Sequence, residues 1–116
     1  MIATWIMKQY VIDELRPDDH KKLKAYLDEN LDSSNIDGIY WLPLEPGGLT
    51  DVQAGHTDCQ PFYFAIELKP DILACELLIR TKSRVRCDCI SYATADQLNW
   101  LVRFADGMFD KLKIIT

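Results

Sequence analysis

Between Pro61 and Thr94 apolar and polar residues alternate with a period of two, the signature of half-buried strands. Phe62, Phe64, Ile66 and Leu68 share one face, with Tyr63, Ala65, Glu67 and Lys69 on the other. After Pro70-Asp71, residues suited to the second and third positions of a turn, the apolar set becomes Leu73, Cys75, Leu77 and Ile79. A two-residue loop opposes Leu68 to Leu73, Ile66 to Cys75, Phe64 to Leu77 and Phe62 to Ile79. A slip of one residue would turn one strand inside out.

The same alternation predicts a third strand over 84–90, with Val85, Cys87 and Cys89 on one face and Arg84, Arg86 and Asp88 on the other. A loop at Thr81-Lys82-Ser83 would set Ile79 against Val85, Leu77 against Cys87 and Cys75 against Cys89. Three thiols then gather on the inner face and arginines line the outer one. Arg80 opposite Arg84 is a defect of this pairing, since like charges across a ladder repel.

Elsewhere the periodicity predicts a strand at about 8–14 and a helix opened by Pro17 with Asp18 and Asp19 in its first turn. Leu23, Tyr26, Leu27 and Leu31 form its apolar stripe, and the polar run from Asp32 to Asn35 ends it. Gly38 to Leu44 reads as a strand that reaches an edge or its end at Pro43, which has no N–H to donate. Residues 45–61 form a long connection with one helical turn at Thr50–Ala54, a length often associated with function. Thr94 and Gln97 have capping-box spacing and start a helix whose stripe is Leu98, Leu101, Ala105, Met108, Phe109 and Leu112. Gly107 weakens that helix by about 1 kcal/mol relative to alanine. Trp100 falls off the stripe, where it either covers a neighbouring loop or offers a subunit contact.

These elements predict a single α+β domain in the order β-α-β-β-β-β-α: an antiparallel sheet of four to five strands with two helices packed on one face. The 116 residues suffice to bury about two-thirds of the unfolded surface. A hydrophobic content of 48% argues against disorder, and a net charge of −5 argues against nucleic acid or anionic lipid as partner. The opening MIATWIMKQYVIDE lacks the basic start and unbroken apolar core of a signal peptide, and no run is long enough to span a membrane. Four cysteines without a secretion signal then point to the reducing cytoplasm.

Four chemistries follow from the residue types. His56 and Cys59 (H-x2-C) with Cys87 and Cys89 (C-x-C) are ligand types of a structural zinc site. Against it, the expected ladder separates Cys59 from Cys87 by about 15 Å at roughly 3.3 Å per residue. Cys75, Cys87 and Cys89 read instead as small apolar packers under the last helix, with a thiolate metal site or a Cys75–Cys89 bridge as alternatives. Cys59 with His56 as its base is a thiol nucleophile only in outline, since no thiol-enzyme signature surrounds the pair; His20 reads as solvent-exposed. The basic strip Arg80, Lys82, Arg84 and Arg86, with Tyr63 and Leu78 beside it, is either a solvated face neutralised by Glu67, Glu76 and Asp88 or a docking surface for an anionic ligand or acidic partner.

The reading that leads is a cytoplasmic, non-catalytic binding module using Arg80, Arg84, Arg86 and Tyr63, with no cofactor, self-associating through Trp100 and an edge strand. A small zinc-binding protein comes second and a thiol-dependent enzyme third. The fold by itself implies no function.

Overall fold

A computed structural model describes residues 8–34, 36–81, 87 and 89–115 of the chain. Its elements in order are β1 (Gln9–Ile12), α1 (Pro17–Asn30), β2 (Asp32–Ser33), β3 (Ile39–Pro43), α2 (Asp51–Gly55), β4 (Phe62–Leu68), β5 (Leu73–Glu76), β6 (Leu78–Thr81), β7 (Ser91–Tyr92) and α3 (Ala95–Leu112). The predicted α+β architecture is present: among the described residues every strand pairing is antiparallel, and the sheet runs β1-β5-β4-β3-β2, with β6 placed between β4 and β7.

Central strand β4 is buried at every second position: Phe62, Phe64, Ile66 and Leu68. Both long helices cover that face. Leu23 and Leu27 of α1 join its core, and Tyr40 of β3 donates to Asp28 of α1 at 2.5 Å. From α3, Leu101, Ala105, Met108 and Phe109 are buried, and Trp100 stacks on Phe64 at 6.2 Å and on Phe104 at 6.3 Å between ring centroids. The opposite face, with Ile39, Trp41, Tyr63, Ala65 and Glu67, is half-buried.

Local chemistry accounts for the helix starts. Pro17 occupies the first turn of α1, and the buried Asp19 carboxylate accepts from the Arg16 backbone N–H at 3.0 Å. His20 is half-buried rather than exposed. Thr94 caps α3 as its spacing predicts. Gly38 turns the chain into β3 with φ of +85°, and its carbonyl accepts from the Leu68 N–H at 2.8 Å. A Cβ there would sit 3.1 Å from the Leu68 oxygen, so glycine suits the position on both counts. Pro43 lies beyond the reach of β2, which pairs only with Tyr40 and Trp41, so its missing donor leaves no ladder bond unmade on that edge.

The first hairpin keeps the expected register at Leu68↔Leu73 and Ile66↔Cys75. At Leu77 the strand breaks. Its N–H turns to the Lys8 carbonyl and its own carbonyl accepts from the Ala93 N–H. When the chain rejoins β4 the partners are Tyr63↔Arg80 and Phe62↔Thr81, two residues out of step. The expected pairs Phe64–Leu77 and Phe62–Ile79 are therefore not formed. A shift of two preserves the side-chain face, so Ile79 stays buried with Leu73 and Cys75.

The second hairpin also departs from expectation. Ile79 opposes Ser91 and Leu78 opposes Tyr92; Val85, the expected partner of Ile79, lies outside the described residues. Cys87 lies outside any strand and Cys89 in a turn, closed by the Ile90 N–H on the Cys87 carbonyl at 3.0 Å. The three thiols hence do not line one sheet face, and Cys75 and Cys89 are not cross-strand partners. Arg80 stands opposite Tyr63 and pairs with Glu76 at 2.6 Å. No described helix is long and apolar enough to cross a membrane.

Candidate metal centre

Two connections bring the chemistry together. The first leaves β3, makes a 3₁₀ turn at Pro46–Gly48, forms α2, and ends in a second 3₁₀ turn at Thr57–Cys59. Thr50 and Gln53 start α2 with a reciprocal cap, the Gln53 N–H donating to Thr50 Oγ1 and the Thr50 N–H to Gln53 Oε1. His56 closes α2 and opens the following turn, its N–H donating to Gln53 and its carbonyl accepting from the Cys59 N–H at 3.0 Å. Side chains three residues apart eclipse one another in 3₁₀ geometry, so the H-x2-C spacing places His56 and Cys59 on one side.

The second connection, between β6 and β7, supplies Cys87 and Cys89. Thr81, at the end of β6, donates its hydroxyl to the Cys59 carbonyl and ties the two connections where they meet. Because Thr81 is level with Phe62, the chain that follows β6 starts beside the end of β4 that Cys59 leads into. The 15 Å separation of Cys59 from Cys87 presumed an unbroken ladder. Cys87 is in no strand, and the two sulfurs are 3.8 Å apart.

One ligand atom from each of His56, Cys59, Cys87 and Cys89 lies within 4.8 Å of the other three. His56 Nδ1 is 3.2 Å from Cys87 Sγ, so the histidine envisaged as the base for Cys59 addresses Cys87. Cys59 and Cys89 are buried, while His56 and Cys87 are half-exposed. A surface hollow of about 370 Å3 opens on His56, Thr57, Asp58, Cys59 and Cys87. A second hollow, of about 610 Å3, lies between α3 and residues 44–50, bordered by Leu49 and Trp100, and none of the four ligand residues lines it.

The thiols differ in their readiness to ionise. Cys87 is pushed down to about 7, first by the backbone N–H and thiol of Cys89 and then by Cys59 and His56. Cys89 is pushed up to about 12, chiefly by burial and then by the neighbouring sulfurs. Cys75 is also pushed up to about 12, by burial alone, and stands outside the cluster in the core. Of the three inner-face thiols, Cys75 packs in the core away from His56, whereas Cys89, buried in the same core, and the half-exposed Cys87 lie beside it.

Other sequence candidates are placed as follows. Tyr63 is half-buried and meets Trp41 edge-on at 6.0 Å, and Arg80 is held by Glu76. Arg84, Arg86 and Lys82 lie outside the described residues. Trp100 is half-buried between Phe64 and Phe104 and borders the hollow beside residues 44–50. The reciprocal cap of Thr50 with Gln53 was missed, although T-x-x-Q is as legible there as at Thr94.

No protein-family model, curated protein or solved structure matches the chain in comparison.

Proposed function

We propose that this chain is a small zinc-binding domain in which His56, Cys59, Cys87 and Cys89 hold one Zn2+ as a structural clamp. The observation that carries the reading is the convergence of one imidazole and three thiols within 4.8 Å, from two segments distant in sequence. Three cysteines and a histidine make up a closed tetrahedral donor set for zinc. Two thiolates at about 2.3 Å from one tetrahedral ion stand about 3.8 Å apart, and Cys59 and Cys87 have that separation. Four protein ligands leave no open position for substrate, so the role supported is architectural rather than catalytic.

The clamp would fix Cys59, just before β4, to Cys87 and Cys89, between β6 and β7. Zinc would supply charge neutralisation for three thiolates and a rigid cross-link. The protein supplies the turn geometry that aims His56 with Cys59 and Cys87 with Cys89. Binding to the folded state alone would stabilise it by about 2.7 kcal/mol when free zinc is a hundredfold above its dissociation constant.

Native mass spectrometry of the full chain, together with cobalt substitution, tests this. One metal per chain is expected, with thiolate-to-cobalt charge transfer and the visible bands of tetrahedral Co2+. A metal-free chain that gives no tetrahedral cobalt spectrum overturns the reading.

A further inference from the structure

We propose that the centre is a peroxide-responsive switch: oxidation joins Cys87 to Cys59 as a disulfide and releases the zinc. The inference rests on the metal-binding reading and names the regulation of that same site.

The four ligands are unequally exposed. Cys89 and Cys59 are only 1% and 2% accessible, whereas Cys87 is half-exposed. The 370 Å3 hollow admits a small molecule to the side of the cluster formed by His56, Cys59 and Cys87, and Cys89 does not border it. A small oxidant therefore meets Cys87 first, and the thiol beside it in that hollow is Cys59.

Cys59 Sγ and Cys87 Sγ stand 3.8 Å apart, against about 2.05 Å in a disulfide, so the sulfurs need close by only about 1.8 Å. Both ligands lie outside the strands, and moving either breaks no ladder pair. Cys75, buried in β5 and outside the cluster, takes no part.

The chemistry balances with hydrogen peroxide as the named oxidant. The Cys87 thiolate attacks one peroxide oxygen, the O–O bond breaks, and hydroxide leaves with the electron pair, giving a sulfenic acid at Cys87. The Cys59 thiolate then attacks that sulfur, forming the S–S bond while the sulfenic oxygen departs as hydroxide. Two protons from solvent convert the two hydroxides to water. Both sulfurs are oxidised, peroxide is reduced, and zinc loses two of four ligands.

The test uses the full chain loaded with zinc, its metal content measured first, then titrated with hydrogen peroxide. Released zinc is followed with a chromogenic chelator, and the bridge is located by peptide mapping. Expected are zinc release one-for-one with a Cys59–Cys87 disulfide, rebinding after reduction by a dithiol, and unchanged behaviour in Cys75→Ala. Zinc that loads but stays bound while peroxide is consumed overturns the switch and leaves the metal site standing. A bridge mapped to Cys87–Cys89, or irreversible sulfinic acid at Cys87, overturns it equally. A chain that loads no zinc overturns both readings together, and the prior metal measurement separates that case.

Discussion

Gln97 of α3 donates its side-chain N–H to Gln53 Oε1 of α2 at 2.9 Å, joining two capping-box glutamines from helices remote in sequence. Each glutamine uses its Oε1 to satisfy the N–H of its own cap threonine, at 3.0 Å in both helices. Gln97 also donates to the Gly48 carbonyl at 3.0 Å. The second donor is available for this because a capping box consumes only the amide oxygen. In this way the start of the longest helix anchors the connection that carries His56 and Cys59.

Gln97→Ala should therefore cost more than an ordinary cap. It removes one of the two donors to the buried Gln53 Oε1 together with the partners of the Thr94 N–H and the Gly48 carbonyl, each hydrogen bond contributing about 0.5–1.5 kcal/mol. Urea denaturation should show the midpoint falling with little change in slope. A loss below about 0.5 kcal/mol, the surface-substitution range, would show that the bridge between α2 and α3 does not hold in solution.

Removing a ligand separates the clustered thiols from the packer. Cys59→Ala should reduce bound zinc below one per chain and abolish the drop in melting temperature that a chelator causes in the wild type. Cys75→Ala should keep full zinc occupancy and lose only packing, since Cys75 is buried in the core apart from the cluster. Metal analysis and paired melts with and without chelator check both.

Acid should loosen the start of α1. The Arg16 side chain, with its backbone N–H, holds the Asp19 carboxyl below the usual carboxylate range. A depressed native pKa means the ionised form is favoured by folding. This contribution is complete above the unfolded value of about 3.9 and is lost as pH falls through the native one. Asp19→Asn should be less stable than wild type near neutrality, and the difference should shrink below about pH 4. Urea midpoints measured across that range report it; a difference constant with pH would remove Asp19 from the account.

The Arg80–Glu76 pair should matter little to stability despite its 2.6 Å contact, because Arg80 is more than a third exposed. A double-mutant cycle on Arg80→Ala and Glu76→Ala should give a coupling of about 0.2–1 kcal/mol. A value well above that range would mean a desolvated pair on a closed sheet face.

Much of the fold was legible because local and tertiary signals agree. The alternation from Phe62 to Leu68, the turn at Pro70-Asp71 and the cap at Thr94 each lead to the observed element. The break at Leu77 was not legible, since a two-residue shift leaves the inward face unchanged and hydrophobic alternation records only the face. The stretch holding Cys87 and Cys89 misled for a related reason. C-x-C has the period of a strand, but here it serves a turn in which both sulfurs lean toward one point. A distance counted along an unbroken ladder therefore separates Cys59 from Cys87, whereas the residue types His56, Cys59, Cys87 and Cys89 are legible as zinc ligands without any register.

The crease at Leu77 divides the mechanical neighbours of the molecule. Upstream of it β5 leans on β1, and downstream β6 leans on β7, the strand that leads from the cysteine turn into α3. Slackening the cysteine turn thus has a direct lever on the amide of Ala93 and the first turn of α3, and none on the β1–β5 ladder. Proton exchange at those amides would quicken on metal loss while Val11 and Ala74 kept their pace, and the chain would report the state of its sulfurs at one end of its sheet only.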